Sequence, residues 1–133
     1  MMGAVSLDIF LQRFESGEEV LGDVAILEKS LAPYLAEPDD AHSDTFLRFA
    51  DGEADIYGAD DLAGGFMVNN ASGSEVWDVL MLVATRARLT ITPPGCPAIV
   101  TTADDLVHLP PDLAADAVVL QSGAQLLECI ESH

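Results

Sequence analysis

The sequence predicts an α+β fold, with a single antiparallel or mixed sheet of about five to six strands packed against two or three helices. Short apolar runs alternating with period two, apolar repeats at three and four behind capping residues, and turn-forming dipeptides between them carry that expectation. At 133 residues, half of them hydrophobic, the chain fits one domain spanning 1–133 and can bury a core without a metal or disulfide staple.

Val5, Leu7, Ile9 and Leu11 alternate with Ser6, Asp8 and Phe10, the signature of a half-buried first strand. After a loop at Glu15–Glu19, Asp23 caps a helix whose Val24, Leu27, Leu31 and Tyr34 share a face, and Pro33 stops it near Leu31. Polar, turn-rich residues from Glu37 to Asp44 follow as a surface loop.

Asp51-Gly52, between Thr45–Ala50 and Glu53–Tyr57, suits the positive φ angles of a two-residue type I′ hairpin. That register pairs Phe49 with Ala54, Arg48 with Asp55, Leu47 with Ile56 and Phe46 with Tyr57. It collects Leu47, Phe49, Ala54 and Ile56 on one face and an Arg48–Asp55 charge pair on the other.

Phe66–Asn69 reads as a short strand. Ser72 and Glu75 form a capping box for the main helix, which runs from Gly73 to about Arg88, is apolar on most sides and is therefore mostly buried. Leu89–Thr92 and Ala98–Thr101 are strands around a proline-rich turn. Thr102 and Asp105 mark a short helix ended by Pro110-Pro111, Ala117–Leu120 is a last strand, and Ser122 with Gln125 opens a final helix. Strand, turn, Ser-Gly and helix recur at Phe66–Trp77 and Val118–Leu127, too few copies for a solenoid.

Five basic residues (Arg13, Lys29, Arg48, Arg86, Arg88) face 23 acids, for a net charge of −18. Nucleic-acid affinity is built from cations on phosphates, so direct DNA or RNA binding is excluded as a function class, and anionic membranes are disfavoured by the same sign. A basic protein or a cation suits the field, and solubility or salt tolerance is the bland account of it. The longest apolar run, Val79–Ala84, is too short to span a bilayer. Met1–Ala4 lacks a basic n-region, and Cys96 and Cys129 fit reduced thiols, so a cytoplasmic location is expected.

The candidate chemistry is sparse. Asp39, Asp40, His42 and Asp44 combine carboxylates with an imidazole and could hold a divalent cation, which would make this a small metal-binding protein or metal-dependent enzyme. Asp51, Glu53 and Asp55 lack the glycine position and bidentate glutamate of a calcium loop. Cys96 and His108 are a thiol and a base with no cation nearby in sequence to activate the thiol. Ser72-Gly73 and Ser122-Gly123 open helices without a phosphate-binding fingerprint, and no cofactor is implied.

Phe46, Arg48, Asp55 and Tyr57 on the outer face of the hairpin are the candidate partner-binding residues, since aromatics and arginine are enriched at interfaces. The leading expectation is a non-catalytic interaction domain that binds a basic protein or associates with itself, as a homodimer for example.

The runs Ser6–Phe14, Asp51–Gly58 and Gly65–Asn69 give the chain a texture that resembles small uncharacterised acidic bacterial proteins. The resemblance implies no activity, cofactor or partner. Immunity proteins that neutralise basic toxins share the size and acidity, but no motif of theirs is present.

Overall fold

A computed structural model describes residues 7–133. Val5 and Ser6 of the expected first strand, and the residues before them, lie outside that range. The strands are β1 (Ile9–Glu15), β2 (Glu18–Val20), β3 (Leu35–Ala36), β4 (Phe46–Arg48), β5 (Glu53–Tyr57), β6 (Phe66–Asn69), β7 (Thr90–Thr92), β8 (Ile99–Val100) and β9 (Val118–Val119). The helices are α1 (Val24–Leu31), α2 (Glu75–Ala87), α3 (Ala103–Leu106), α4 (Pro111–Ala114) and α5 (Gly123–Glu131), with a 3-10 turn at Leu62–Gly64. The α+β class is as expected, with more strands than the sequence suggested.

The sheet runs β3-β4-β5-β6-β1-β7-β8-β9, with β2 paired to β1. Every pairing is antiparallel except β8 with β9. Successive strand residues point to opposite faces. Ile9, Leu11, Ala54, Ile56, Phe66, Val68, Ile91 and Ile99 therefore face the main core, where α2 contributes Val76, Trp77, Leu80, Val83 and Ala84. The nearly all-apolar α2 is buried because α1 and α5 pack against it. A second, smaller cluster of Ala98, Val100 and Leu109, with Phe14, Leu106 and Leu113 against it, covers the β8–β9 end on the other face.

Asp23 caps α1 by accepting from the Ile26 amide at 3.1 Å, and the helix ends at Leu31, before Pro33. The expected loop at Glu15–Glu19 is instead a hairpin: Ser16 and Gly17 take φ of 53° and 85°, and Glu15 pairs with Glu18. Positive φ at both central residues is the type I′ requirement, so the tight turn expected at Asp51-Gly52 belongs here.

At β4–β5 the register is displaced by two residues from the expected one, to Phe46 with Asp55, Leu47 with Ala54 and Arg48 with Glu53. A two-residue shift preserves which side chains share a face, so Leu47, Ala54 and Ile56 remain on the core side. The turn is at Ala50-Asp51, closed by the Phe49 amide donating to the Gly52 carbonyl at 2.8 Å, and neither Asp51 nor Gly52 has a positive φ.

Gly52 serves close approach. A Cβ there would run into the Ser72 carbonyl and stand 2.5 Å from its carbon. Gly73, at φ +83°, faces the Asp51 backbone in the same way.

That contact also corrects the expected capping box. The helix starts at Glu75, not Gly73, with Ser74 as its N-cap residue and no capping bond from that side chain. Asp51 caps it from the hairpin turn, Oδ2 accepting from the Ser74 amide and hydroxyl at 2.8 and 2.7 Å and Oδ1 from the Glu75 amide at 3.2 Å. Glu75 in return accepts from the Ala50 amide at 2.7 Å, and the Ser72 hydroxyl meets the Glu53 amide at 3.1 Å. The chemistry of the box is kept, but its partners are supplied by a different element. In α5 the Ser122 hydroxyl accepts from the Gln125 amide at 3.2 Å, and Gln125 Oε1 accepts from the Gln121 amide at 2.7 Å.

Candidate functional site

The outer face of the sheet opposite α2 holds the candidate site. Tyr57 pairs with Met67, Met67 with Phe10, and Phe10 with Thr92, so one row crosses β5, β6, β1 and β7 on that face. Phe10 is 50% exposed and Tyr57 49%, although an antiparallel sheet with one wet face ordinarily carries polar residues there. With Phe14 from the far end of β1 and Leu113 from α4, they line a groove of about 670 Å³. Two of its polar side chains bond the backbone: Thr92 Oγ1 donates to the Phe10 carbonyl at 3.4 Å, and the Gln12 amide donates to the Arg13 and Val20 carbonyls at 3.2 Å each.

Acids border this groove, and the basic side chains other than Arg13, which lies on β1 between the lining residues Gln12 and Phe14, are placed elsewhere. Glu19 lines it, and the Asp61 carboxylate lies 2.9 Å from where a Cβ on Gly64, another lining residue, would stand. No lining residue is basic. Arg48 is held by Asp39 at 3.3 Å and Arg88 by Asp105 at 3.2 Å, while Lys29 and Arg86 border a separate depression on α1 and α2.

Of the expected contact residues, Tyr57 lines the groove and Arg48 is exposed, but Phe46 is buried. The expectation that Phe46 stands open beside Arg48 is corrected by the loop before β4. His42 stacks on the Phe46 ring with centroids 3.7 Å apart and planes 8° apart, and the Arg48 guanidinium lies 5.1 Å from the same centroid. Asp55 faces Phe46 and Asn69 rather than Arg48, and accepts from Asn70 Nδ2 at 2.8 Å.

The loop residues Asp39, Asp40, His42 and Asp44 do not converge on a common point. Asp39 Oδ1 accepts from the Ala41 and His42 amides and from His42 Nδ1 at 2.9, 2.8 and 2.9 Å, an Asx-type turn that closes the loop on itself. His42 Nε2 lies 3.1 Å from Glu53 Oε2, so both ring nitrogens face carboxylates. Among the described residues no group of three or more His, Cys, Asp or Glu side chains is placed to hold a metal ion. The loop instead fastens the hairpin's outer face.

The hydrogen bond that Asp39 accepts, followed by that accepted by Glu53, raises the His42 pKa above its ordinary 6.5, and the bond from His42 lowers Asp39 below 3.8. The Ser74 hydroxyl, then the Ser74 and Glu75 amides, lower Asp51 below 3.8.

Cys96 and His108 gain no partnership. His108 Nδ1 accepts from the Ser16 amide at 3.2 Å, and burial followed by the nearby Cys129 pushes the Cys96 thiol above 9.0, away from a reactive thiolate. Both cysteines are free and half-buried. Phe10, Phe14 and Leu113 were missed as candidates because alternation marked Phe10 only as the wet side of a strand. The signal available was a large aromatic at a position where a polar residue is usual.

No helix among the described residues is long and apolar enough to cross a membrane. Comparison with protein-family models, with curated proteins and with solved structures finds no match.

Proposed function

We propose that the chain is a non-catalytic protein-interaction domain of the cytoplasm whose contact surface is the outer sheet face around Tyr57 and Phe10. The observation that carries this is the groove itself: half-exposed Tyr57 on β5 and Phe10 on β1 flank Met67 on the intervening β6 in one row, framed by β1–β2 and α4. Exposed contiguous apolar surface of this kind marks interaction sites. The net charge of −18 supports a basic protein over a nucleic acid as the partner.

The proposed surface keeps Tyr57 from the sequence-based set and moves its centre toward Phe10 and Met67. Asp55 becomes its margin, Arg48 lies beyond it opposite Glu53, and Phe46 lies beneath His42.

Light scattering joined to affinity capture on wild type, Tyr57→Ala and Arg48→Glu tests the proposal. It expects a protein retained by the wild type, released by Tyr57→Ala and little affected by Arg48→Glu. A wild type that retains nothing and stays monomeric would reject it.

A further inference from the structure

Taking the interaction reading as its base, we infer that the groove's occupant is a basic amphipathic helix of another protein, its apolar stripe laid across Tyr57, Met67 and Phe10 and its Lys and Arg side chains on the acidic rim. Four neighbouring strands at about 4.8 Å spacing span about 14 Å, which matches the 10–12 Å width of a helix with its side chains. The main core already covers its face of the sheet with helices, and α3 with α4 covers the β8–β9 end of the other. Among the described residues no helix covers the β5-β6-β1 stretch, and a helix there would bury the Phe10, Met67 and Tyr57 side chains that this face leaves accessible.

Charge selects among occupants. Glu19 and Asp61 border the groove, Asp55 lies two positions along β5 from Tyr57, Asp112 precedes Leu113 on α4, and no cation lines the site. A second copy would bring another net charge of −18 to that rim, which self-repulsion disfavours. A small apolar molecule would leave the Glu19 carboxylate on the rim without a cationic partner, which Lys and Arg side chains of a basic helix supply.

The test uses fluorescence anisotropy with three labelled synthetic peptides of about 18 residues, long enough for about five helical turns. One carries a Leu/Phe stripe with Lys and Arg on its polar face, one has the same stripe with Gln and Ser, and one has the same cations without a stripe. The expected result is saturable binding of the first alone, weakened about tenfold or more by Phe10→Ser or Tyr57→Ser and by raising salt. Glu19→Lys, at an exposed strand position, should weaken it with the fold unchanged by circular dichroism.

Equal binding of the uncharged striped peptide would overturn the basic-helix inference and leave the interaction reading standing. Equal binding of the stripeless peptide would assign the attraction to diffuse charge and overturn the groove as its site. A wild-type dimer dissociated by Tyr57→Ser, with no peptide bound, would replace the helix by a second copy.

Discussion

Replacing Gly52 by alanine separates two accounts of that residue. In the structure its Cβ would collide with the Ser72 carbonyl and stand 2.5 Å from the Ser72 carbon and 3.0 Å from the Gly73 nitrogen. These are backbone atoms that no rotamer change can move. Restoring ordinary contact with the Ser72 carbonyl oxygen requires the two segments to part by about 1.4 Å.

The Ser72 amide now donates to the Glu53 carbonyl at 2.9 Å and the Glu53 amide to the Ser72 hydroxyl at 3.1 Å. A separation of that size opens both. At roughly 1 kcal/mol net for each bond, Gly52→Ala should cost about 2 kcal/mol. At roughly 3–5 °C per kcal/mol for a chain of this size, the Tm should fall by about 6–10 °C.

Differential scanning calorimetry measures the fall, with Gly17→Ala as control. Gly17 has φ +85° but nothing within 4 Å of its absent Cβ, so only backbone strain of about 1 kcal/mol acts there. Gly52→Asn discriminates further. A residue kept for positive φ would accept asparagine, whereas one kept for close approach would not. A Gly52→Ala protein melting within about 1 °C of wild type would refute the backbone lock.

Three further outcomes are expected. His42, whose folded pKa is raised by Asp39 and Glu53, contributes stability in full below its ordinary 6.5 and loses it as pH rises through the raised value. With Arg48 across Phe46 and Asp44 and Asp55 lining the adjacent recess, the wild-type advantage over His42→Gln should therefore hold steady below 6.5 and shrink as pH rises above it in denaturant melts. Asp51 titrates with the opposite sign: its folded pKa is depressed, so the cap on α2 is complete above 3.8 and fails as pH falls through the lower value. Asp51→Asn should flatten the acid limb of the stability profile, and an unchanged limb would deny the cross-element cap. The Thr101 hydroxyl is buried without a hydrogen-bond partner, so Thr101→Val should be neutral or stabilising by about 1 kcal/mol in chemical unfolding.

The legible parts of the fold were those written in local pattern. Asp23 and Pro33 bound α1, and Phe66–Asn69 is β6 at both ends. Faces were legible even where register was not: the displacement at β4–β5 is two residues, and side-chain alternation is blind to an even shift.

What escaped depended on residues distant in sequence. Asp51-Gly52 carries the composition of a tight turn, but its contacts are with Ser72–Glu75. His42 reads as a ligand in a polar loop until the loop folds back and places it on Phe46. The two- and three-residue strands β2 and β3 are held by their neighbours in the sheet, and runs so short show little period of their own, whereas β8 and β9 fall inside the expected Ala98–Thr101 and Ala117–Leu120 strands. The groove combines residues from β1, β5, β6 and α4, which no spacing in the chain could join.

Titration of the isotope-labelled protein with the striped basic peptide, followed by amide NMR shifts, tests the interaction surface most directly. The expected shifts concentrate at Phe10, Phe14, Tyr57, Met67 and Leu113 and vanish in Phe10→Ser. Shifts gathered on α1 and α2 around Lys29 and Arg86, or spread evenly over the acidic surface, would contradict it.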